Sequence, residues 1–473
     1  MKKKSVLIVI LVLALIVAVT SCGGNKTSQS SSAEKEKKEN KVATVIILCA
    51  GDIMAHAPNI TSALQSDGTY DFSDNYEYVE EYIQNADLAL CNMETTFKGG
   101  KPQGYPLFNA PDSLADAVKG AGFDVAFTSN NHMMDTGFDG MQRTLEILRE
   151  AGLRTVGSRL EGEEKRYDVV KVNGVKIGFV AYTYETTQTA GTAVTINGNP
   201  ISEESRELIN SFNYHDLETE DYDRIGTDIS NCRKDGADVV VCYLHWGNEY
   251  EKTPNTSQEE MAQELANRGV DVIFASHPHV LQKIDVVTSA KGGQKVPVFY
   301  SLGNYISNQR TETLSNKYTE YGAMGIVKLT VRTDKNKIQT ESVSVIPVWV
   351  DKYQSGKGTL EYRIIPLDSD LSTNQALAES GHFSRAQEAK VYAEELFGDY
   401  IKGQTIITSG GNSEGRSTAR PSESESTEKK DSKAEKNTDS QSTKKSDNQS
   451  KGKTKNESDG KSNDKSSGKS KNA

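Results

Sequence analysis

The feature that most constrains the fold is a series of short apolar segments, each followed by a helix-like stretch. The segments are rich in Val, Ile, Phe and Cys, which is typical of strands buried on both faces of a sheet. They cover residues 44–51, 86–92, 123–129, 239–244 and 270–276. Buried strands that alternate with helices predict an α/β fold with one large core.

A polar side chain with metal-binding or acid–base chemistry comes within two residues of the end of each of these segments. In α/β sheets such side chains meet in one crevice at the carboxyl ends of the strands. One Asp, one Glu, one Asn and several His suit a two-metal centre that polarises an oxyanion. Ordinary alternatives remain: a turn or N-cap residue for Asp and Asn, a solvated loop carboxylate for Glu, and buried hydrogen-bonded histidines. The residues are Asp52, Glu94, Asn131, His132, His245, His277 and His279.

The first 21 residues form a Lys-headed apolar segment that is typical of a secretory signal. Its apolar run, 6–19, is short for a bilayer span. Val19-Thr20-Ser21-Cys22 resembles a lipobox, which implies a lipoprotein signal peptide at 1–21 and lipid attachment at Cys22. We therefore expect a lipid-anchored protein on the extracytoplasmic face of the cell membrane. An uncleaved membrane anchor is the alternative.

Composition divides the rest of the chain into folded and unfolded parts. Residues 22–43 are rich in Ser, Lys and Glu and predict a flexible linker. Residues 409–473 contain no Val, Ile, Leu, Met, Phe, Trp, Tyr or Cys, so they cannot bury enough apolar surface to order and are predicted to be a disordered tail. The remainder predicts a main domain at 44–350 and a C-terminal extension with a helix at 351–408.

The charge distribution argues against nucleic acid as a partner. The whole chain carries a formal charge of −11, although residues 1–21, 22–43 and 409–473 contribute +3, +2 and +4. Residues 44–408 therefore carry −20. An acidic domain disfavours non-specific nucleic-acid binding, and an anionic substrate would need local help, which bound metal cations supply.

Hydrophobic periodicity predicts helices between the strands and a second group of strands later in the chain. Residues 186–220 read as an irregular insertion near the rim of the crevice. The later strands alternate apolar and polar residues, which indicates a half-exposed antiparallel sheet. The predicted helices are 76–85, 111–120, 140–151, 221–235, 257–267 and 375–400, and the further strands are 167–172, 175–182, 296–300, 324–331 and 342–350.

Four cysteines follow Cys22, and their surroundings predict small buried hydrophobes. A Cys49–Cys91 disulfide is possible if their two strands are neighbours, but spacing alone does not show it. The chain has no C-x-x-C segment, which argues against a zinc ribbon.

Six short segments, in order, resemble the CapA-type proteins of poly-gamma-glutamate capsule synthesis over residues 44–350. That family is similar to the calcineurin-like metallophosphoesterases, so the resemblance implies a metallophosphatase-like four-layer β-sandwich flanked by helices. The segments are Gly51-Asp52-Ile53-Met54-Ala55-His56, Asn92-Met93-Glu94, Asn130-Asn131-His132, His245-Trp246-Gly247, Ser276-His277-Pro278-His279 and Ser301-Leu302-Gly303-Asn304.

The resemblance also implies a role for each site residue around two divalent ions, with Mn, Fe, Zn or Mg as candidates. Asp52 and His279 would bind the first ion, and Glu94 would bridge both. The second ion would be bound by Asn131, His245 and His277. His132 would face the substrate as proton donor or oxyanion stabiliser.

This chain departs from the wider superfamily at the first metal. Met54 occupies the His position of the usual Asp-x-His, and Glu94 replaces the usual bridging Asp. Ser276 precedes His277 where Gly is usual. His56, on the same loop as Asp52, is a possible substitute ligand. The alternative is a histidine at a helix start that is bonded to backbone.

Three functions remain open on the sequence. The first is a surface-anchored protein that acts in biosynthesis or export of poly-gamma-glutamate or a related anionic polymer, with membrane-bound polymer synthetase subunits as partners implied by the resemblance. The second is a secreted metallophosphoesterase or amide hydrolase of the cell envelope. The third is a polymer-binding assembly component without catalysis.

Overall fold

The computed structural model describes residues 42–186, 194–213, 219–332, 337–356 and 358–401. The signal peptide, Cys22, nearly all of the linker and the whole tail lie outside the described residues, so those assignments stay predictions. Within the described ranges, we find no helix that is both long and apolar enough to cross a membrane.

The described strands form two main sheets and a separate pair made by the seventh and eighth strands. They are β1 (Val42–Ile53), β2 (Leu88–Met93), β3 (Val125–Phe127), β4 (Arg154–Val156), β5 (Asp168–Val172), β6 (Val175–Glu185), β7 (Thr195–Ile196), β8 (Asn199–Pro200), β9 (Ser211–Asn213), β10 (Val239–His245), β11 (Val272–Ser276), β12 (Ile284–Thr288), β13 (Lys295–Phe299), β14 (Asn304–Ile306), β15 (Tyr321–Arg332), β16 (Lys337–Gln354) and β17 (Leu360–Pro366).

Helices connect most of the parallel strands, as βαβ crossovers require. The helices are α1 (Ala57–Ala63), α2 (Glu80–Gln84), α3 (Ser113–Ala121), α4 (Gly137–Glu150), α5 (Glu203–Glu207), α6 (Thr219–Lys234), α7 (Thr256–Asn267), α8 (Thr311–Leu314), α9 (Gln375–Ser380) and α10 (Phe383–Phe397). Short 3₁₀ turns lie at Ser73–Asn75, Lys317–Glu320, Leu371–Thr373 and Gly398–Tyr400.

The first sheet combines a parallel half and an antiparallel half. Among the described residues it has eight strands in the order β17-β16-β15-β1-β2-β3-β4, with β14 beside the end of β1. Strands β1 to β4 run parallel, whereas β1, β15, β16 and β17 pair antiparallel. The antiparallel pairing of β15 with β16 confirms that prediction for two of the later strands, whereas β13, the strand expected at 296–300, lies parallel beside β11 in the second sheet.

The second sheet is also mixed. Its order in the described part of the chain is β12-β13-β11-β10-β6-β5, with β9 beside β6. The central strands β6, β10, β11 and β13 are parallel, and β5 and β12 pair antiparallel at the two edges. In each sheet, the carboxyl ends of several parallel strands therefore lie at the same edge.

The two sheets pack face to face. Val45, Phe127 and Phe179 belong to one buried cluster that draws on both sheets. The rings of Phe127 and Tyr243 stack across the interface with centroids 4.4 Å apart. Burial of such large apolar surfaces is the main stabilising contribution to the fold.

Helices cover the outer faces of both sheets. Leu114 and Val118 of α3 cluster with Leu48 on the outer face of the first sheet. On the second sheet, Leu265 of α7 belongs to the cluster that contains Val240. The order helix, sheet, sheet, helix confirms the four-layer α/β architecture expected from the sequence.

The C-terminal extension shares the core of the main domain. The boundary expected at residue 350 falls inside β16, and β17 adds a strand to the first sheet. The single helix expected at 375–400 is two helices, because Gly381 ends α9 in the left-handed region, at φ 72°. Ala386 and Ala389 of α10 then pack in the same cluster as Trp349.

Other departures occur where local patterns are weak. Strand β1 begins at Val42, inside the predicted linker, because Val42 and Ala43 continue the ladder with β15. Strand β12 was not predicted, since half of an edge strand is solvated. Cys49 and Cys91 lie on neighbouring strands but face opposite sides of the sheet, in different buried clusters, and all four described cysteines are thiols.

Candidate metal centre

The strand ends of both sheets bring the predicted site residues into one buried group. Asp52 is near the end of β1, and Glu94 directly follows β2. His245 ends β10, while His277 and His279 follow β11. All five side chains are buried. We refer to these five residues and Asn131, which follows β3, as the candidate metal centre.

Asn92 holds the two carboxylates in place. Its Nδ2 donates to Asp52 Oδ1 at 2.8 Å and to Glu94 Oε2 at 3.1 Å. Asn130 Nδ2 in turn donates to Asn92 Oδ1 at 3.2 Å and to the Met93 carbonyl at 2.8 Å. These bonds occupy one oxygen of each carboxylate and leave Asp52 Oδ2 and Glu94 Oε1 for other partners.

His279 contacts both carboxylates. Its Nδ1 lies 3.1 Å from Asp52 Oδ2 and 3.0 Å from Asn304 Oδ1, and its Nε2 lies 3.8 Å from Glu94 Oε1. Burial by itself lowers the pKa of His279, but the hydrogen bond and charge of Asp52 outweigh it and raise that pKa. One ligand atom from each of Asp52, Glu94 and His279 fits within 4.8 Å of the others.

His245 links Glu94 to Asn131. Its Nε2 lies 2.9 Å from Asn131 Oδ1 and 3.6 Å from Glu94 Oε1. Burial, together with the neighbouring His277, lowers the pKa of His245 well below its usual value. Burial lowers the pKa of His277 in the same direction. Both imidazoles are therefore neutral near pH 7, the form in which histidine binds metals.

Two buried polar atoms of this group have no hydrogen-bond partner among the described residues: Glu94 Oε1 and His277 Nδ1. An unsatisfied buried polar group costs about 1–3 kcal/mol, so its presence calls for an explanation. Burial and the charge of Asp52 raise the pKa of Glu94 well above its usual value. A cation beside Glu94 Oε1 would give that atom a partner and would offset the repulsion between Glu94 and Asp52.

The spacing of the donor atoms also suits a cation. The contacts of His245 and His279 with the two carboxylates range from 3.1 to 3.8 Å. Atoms bound to one ion at about 2.0–2.2 Å lie at such separations from each other. The residues therefore fit a divalent metal, with Asp52, Glu94 and His279 as one ligand group. Whether Asn131, His245 and His277 hold a second ion stays a prediction.

His132 lies beside the centre and is held by a carboxylate. Its Nδ1 lies 2.7 Å from Asp135 Oδ2, which also accepts the Phe108 backbone N–H at 2.7 Å. The Phe108 ring meets the His132 ring edge-on with centroids 4.6 Å apart. This bond places a proton on Nδ1 and leaves Nε2 as the atom able to exchange a proton with a bound molecule.

His56 makes a different contact. Its Nδ1 accepts the backbone N–H of Asn308 at 3.2 Å, and the residue precedes α1 as its N-cap. Burial, together with His279 and His132, lowers its pKa to about 3. This arrangement corresponds to the alternative reading, a helix-start histidine bonded to backbone. Met54 is buried as well.

Sequence reasoning missed the residues that orient the ligands. Asn92 was predicted only as part of the segment Asn92-Met93-Glu94, and no role was predicted for Asp135. Asn304, the last residue of the segment Ser301-Leu302-Gly303-Asn304, contacts His279 and donates to the Thr319 carbonyl at 2.9 Å. The available signals were local: Asn92 and Glu94 share one strand end, and Asp135 is three residues after His132.

Comparisons with known proteins agree with the family resemblance that the six sequence segments indicated. Residues 46–309 match the family model described as "Bacterial capsule synthesis protein PGA_cap". The chain is 29% identical over 281 residues to "Capsule biosynthesis protein CapA" of Bacillus anthracis, which covers 57% of this chain and 62% of that protein. It is 29% identical over 253 residues to "PGA biosynthesis protein CapA" of Bacillus subtilis (strain 168), which covers 52% and 60%.

The chain thus spans about three fifths of the length of these curated relatives. Among solved structures, a crystal structure described as a novel phosphatase from Mycoplasma pneumoniae is 14% identical, with a TM-score of 0.37. It covers 65% of this chain and 95% of that chain.

Proposed function

We propose, because this chain belongs to the bacterial capsule synthesis protein family PGA_cap, that it acts in the biosynthesis or export of an anionic cell-surface polymer, poly-gamma-glutamate or a related chain. The observation that carries the proposal is that the family match and the candidate metal centre occupy the same part of the chain. The residues that match the family, 46–309, contain every member of the candidate metal centre. The part of the chain that resembles capsule proteins is therefore also the part that gathers the reactive side chains.

The candidate metal centre would serve that role as a hydrolase-like site. Asp52, Glu94 and His279 would hold a divalent ion, and Asn131, His245 and His277 would complete a second position. A bound divalent cation polarises a carbonyl or phosphoryl oxygen and lowers the pKa of water. Such an ion also offsets the negative charge of the domain, which would otherwise repel an anionic polymer.

His132 would transfer a proton in the proposed hydrolase-like reaction. Its Nδ1–H donates to Asp135, so the ring is held in one orientation and one tautomer. When the ring also carries a proton on Nε2, that N–H would give its proton to a leaving group or stabilise a developing oxyanion. Asp135 is oriented by the Phe108 N–H and acts only through His132.

The location of the protein is part of the same proposal. A lipid on Cys22 would tether the chain to the extracytoplasmic face of the membrane. The linker at 22–43 would give the domain reach, and membrane-bound polymer synthetase subunits are the partners we propose there.

Complementation in a capsule-forming host tests this function. A strain that lacks the gene should lose polymer at its surface, and the parent chain should restore it, whereas His245→Ala should not. The matched control is His382→Ala, which removes a half-buried histidine that bonds Asp351 outside the centre. Full polymer yield with His245→Ala at normal surface abundance would overturn a role for the centre. Unchanged polymer in the gene-deleted strain would overturn the polymer function.

One observation favours a second candidate, a metal-dependent phosphoester or amide hydrolase of the envelope. The His132–Asp135 pair next to a cation site is an arrangement that hydrolysis uses. Turnover of a generic phosphodiester with added Mn²⁺, lost in His132→Ala, would support it. Inactivity across Mn²⁺, Zn²⁺ and Mg²⁺ with phosphodiester and amide substrates would remove it.

A further inference from the structure

Backbone strain in the described residues concentrates at one place. Residues other than Gly rarely adopt positive φ, although Asn tolerates it well. Three residues with aromatic rings do so here: Tyr250 at φ 67°, His277 at φ 104° and His279 at φ 56°. The other non-Gly residues with positive φ in the described ranges are Asn173, Asn197 and Ser315. The unusual conformations therefore mark Tyr250 together with two candidate ligands.

Tyr250 is tied to the histidine segment by its backbone. Its N–H donates to the Pro278 carbonyl at 2.8 Å, between the two histidines. Its ring lies 6.2 Å from the His279 ring, centroid to centroid, and the residue is 38% exposed. A strained, partly exposed tyrosine contributes little to the core, so strain at this position points to a functional role.

Tyr105 is a second exposed tyrosine, and it lies beside His132. Gln103 and Asn109 exchange backbone hydrogen bonds at 2.8 and 2.9 Å, so the residues between them form a projecting turn. Gly104 presses this turn against the loop after β1, since a Cβ there would lie 2.1 Å from the Ala57 nitrogen. Tyr105 is 69% exposed, and its ring lies 6.5 Å from the His132 ring.

The two tyrosines lie beside different histidines of the site: the Tyr250 ring is next to His279, and the Tyr105 ring is next to His132. Each phenol carries an O–H group that donates a hydrogen bond. Such donors are suited to bind a carboxylate.

We propose that Tyr105 and Tyr250, here called the entrance pair, are substrate-binding residues that hold a segment of a polycarboxylate chain over the candidate metal centre. Their phenol O–H groups donate to carboxylate oxygens, and their rings lie against the aliphatic part of the chain. This inference rests on the proposed function, because it names how that polymer is held. It also gives a reason for the positive φ of Tyr250, because in that conformation its ring lies beside His279.

Binding of purified poly-gamma-glutamate of defined length to the full chain in detergent, with Mn²⁺ present, tests the entrance pair. Tyr250→Asn is the informative variant, because Asn accommodates positive φ while the ring is removed. We expect it to keep or raise the melting temperature and to weaken binding about tenfold to hundredfold, the range for loss of a hydrogen bond to a charged group. Tyr105→Ala should weaken binding similarly, and Tyr250→Phe should separate the hydroxyl from the ring.

Phe383→Ala is the matched control, since Phe383 is an aromatic residue that is 41% exposed on α10, and it should not change binding. Unchanged affinity in both Tyr250→Asn and Tyr105→Ala would overturn the proposal. A fall in melting temperature that accounts for the lost binding of Tyr250→Asn would overturn it too, because the ring would then be structural. If the parent chain restores polymer in cells but does not bind the purified polymer, the proposed function stands and the entrance pair falls.

Discussion

Replacing Glu94 with Gln should make the metal-free protein more stable and should abolish its stabilisation by divalent cations. Gln keeps the shape of the side chain, and its oxygen still accepts from Asn92 Nδ2. Its amide nitrogen would lie near His245 Nε2 and His279 Nε2, the atoms that Glu94 Oε1 now faces at 3.6 and 3.8 Å. The substitution therefore removes the charge of a buried carboxylate whose Oε1 has no hydrogen-bond partner among the described residues.

The magnitude follows from the distance between the two carboxylates. Asp52 and Glu94 offer oxygens no more than 4.8 Å apart. At an effective dielectric constant of about 20, two unit charges at that separation repel by about 3.5 kcal/mol. Proton uptake by Glu94, whose pKa burial and Asp52 raise, relieves part of this repulsion. We therefore expect the free energy of unfolding of the metal-free variant to increase by about 1–3 kcal/mol at pH 8.

Metal should reverse the order of stability. Free Mn²⁺ at 100 times its dissociation constant should stabilise the parent chain by about 2.7 kcal/mol, and Glu94→Gln by much less. Urea unfolding followed by circular dichroism, with EDTA and with Mn²⁺, measures both effects. A Gln variant that is less stable than the parent in EDTA, or that gains as much from Mn²⁺, would refute the reasoning.

Glu320→Gln supplies a matched control. Glu320 is also buried, but its carboxylate is paired with Arg310 at 3.5 Å and with Arg385. Removing one partner of a buried ion pair destabilises by about 3–5 kcal/mol, because the other charge is left uncompensated. Glu320→Gln should therefore lower stability with and without metal and should keep the response to Mn²⁺.

Three further substitutions test other parts of the structure. Gly303→Ala should lower the free energy of unfolding by about 1–3 kcal/mol, because Gly303 has φ 62° and a Cβ would lie 2.5 Å from the Tyr321 carbonyl. It should also weaken Mn²⁺ uptake in a calorimetric titration, and wild-type uptake would contradict this. Asp135→Asn should leave metal content by mass spectrometry unchanged but lower polymer yield, since His132 loses its orienting carboxylate; lost metal would instead mean a structural role. Leu265→Ala, in the core under α7, should cost about 2–5 kcal/mol in urea unfolding with unchanged Mn²⁺ uptake.

The fold was predictable where the pattern is local. Strands buried on both faces, such as β2 and β10, show as continuous apolar runs, and their predicted bounds differ from the observed ones by at most two residues at either end. Elements with weak local signals were less predictable. The helix expected at 76–85 is limited to α2, because residues 76–79 form a turn, and the half-solvated edge strand β12 was missed.

The site was predictable to the level of which residues gather. Each candidate ligand follows a buried strand, and the carboxyl ends of parallel strands meet at one edge of a sheet. The orienting residues were not predictable, because a hydrogen-bond partner depends on the position of a second chain segment. Asn92 bridges two carboxylates because β2 pairs beside the end of β1, and Asn304 contacts His279 because β14 pairs there as well.

By itself, the sequence determined which side chains end the strands of this domain, since that depends on residues next to each other. The tertiary structure alone decided which atoms meet. Asp52 Oδ2 and His279 Nδ1 are 227 residues apart in the chain and 3.1 Å apart in space. Their contact depends on how two sheets pack, and the positions of Tyr105 and Tyr250 over the centre depend on loops held from both sheets. Packing across distant segments sets such distances, and no local pattern in the chain encodes them.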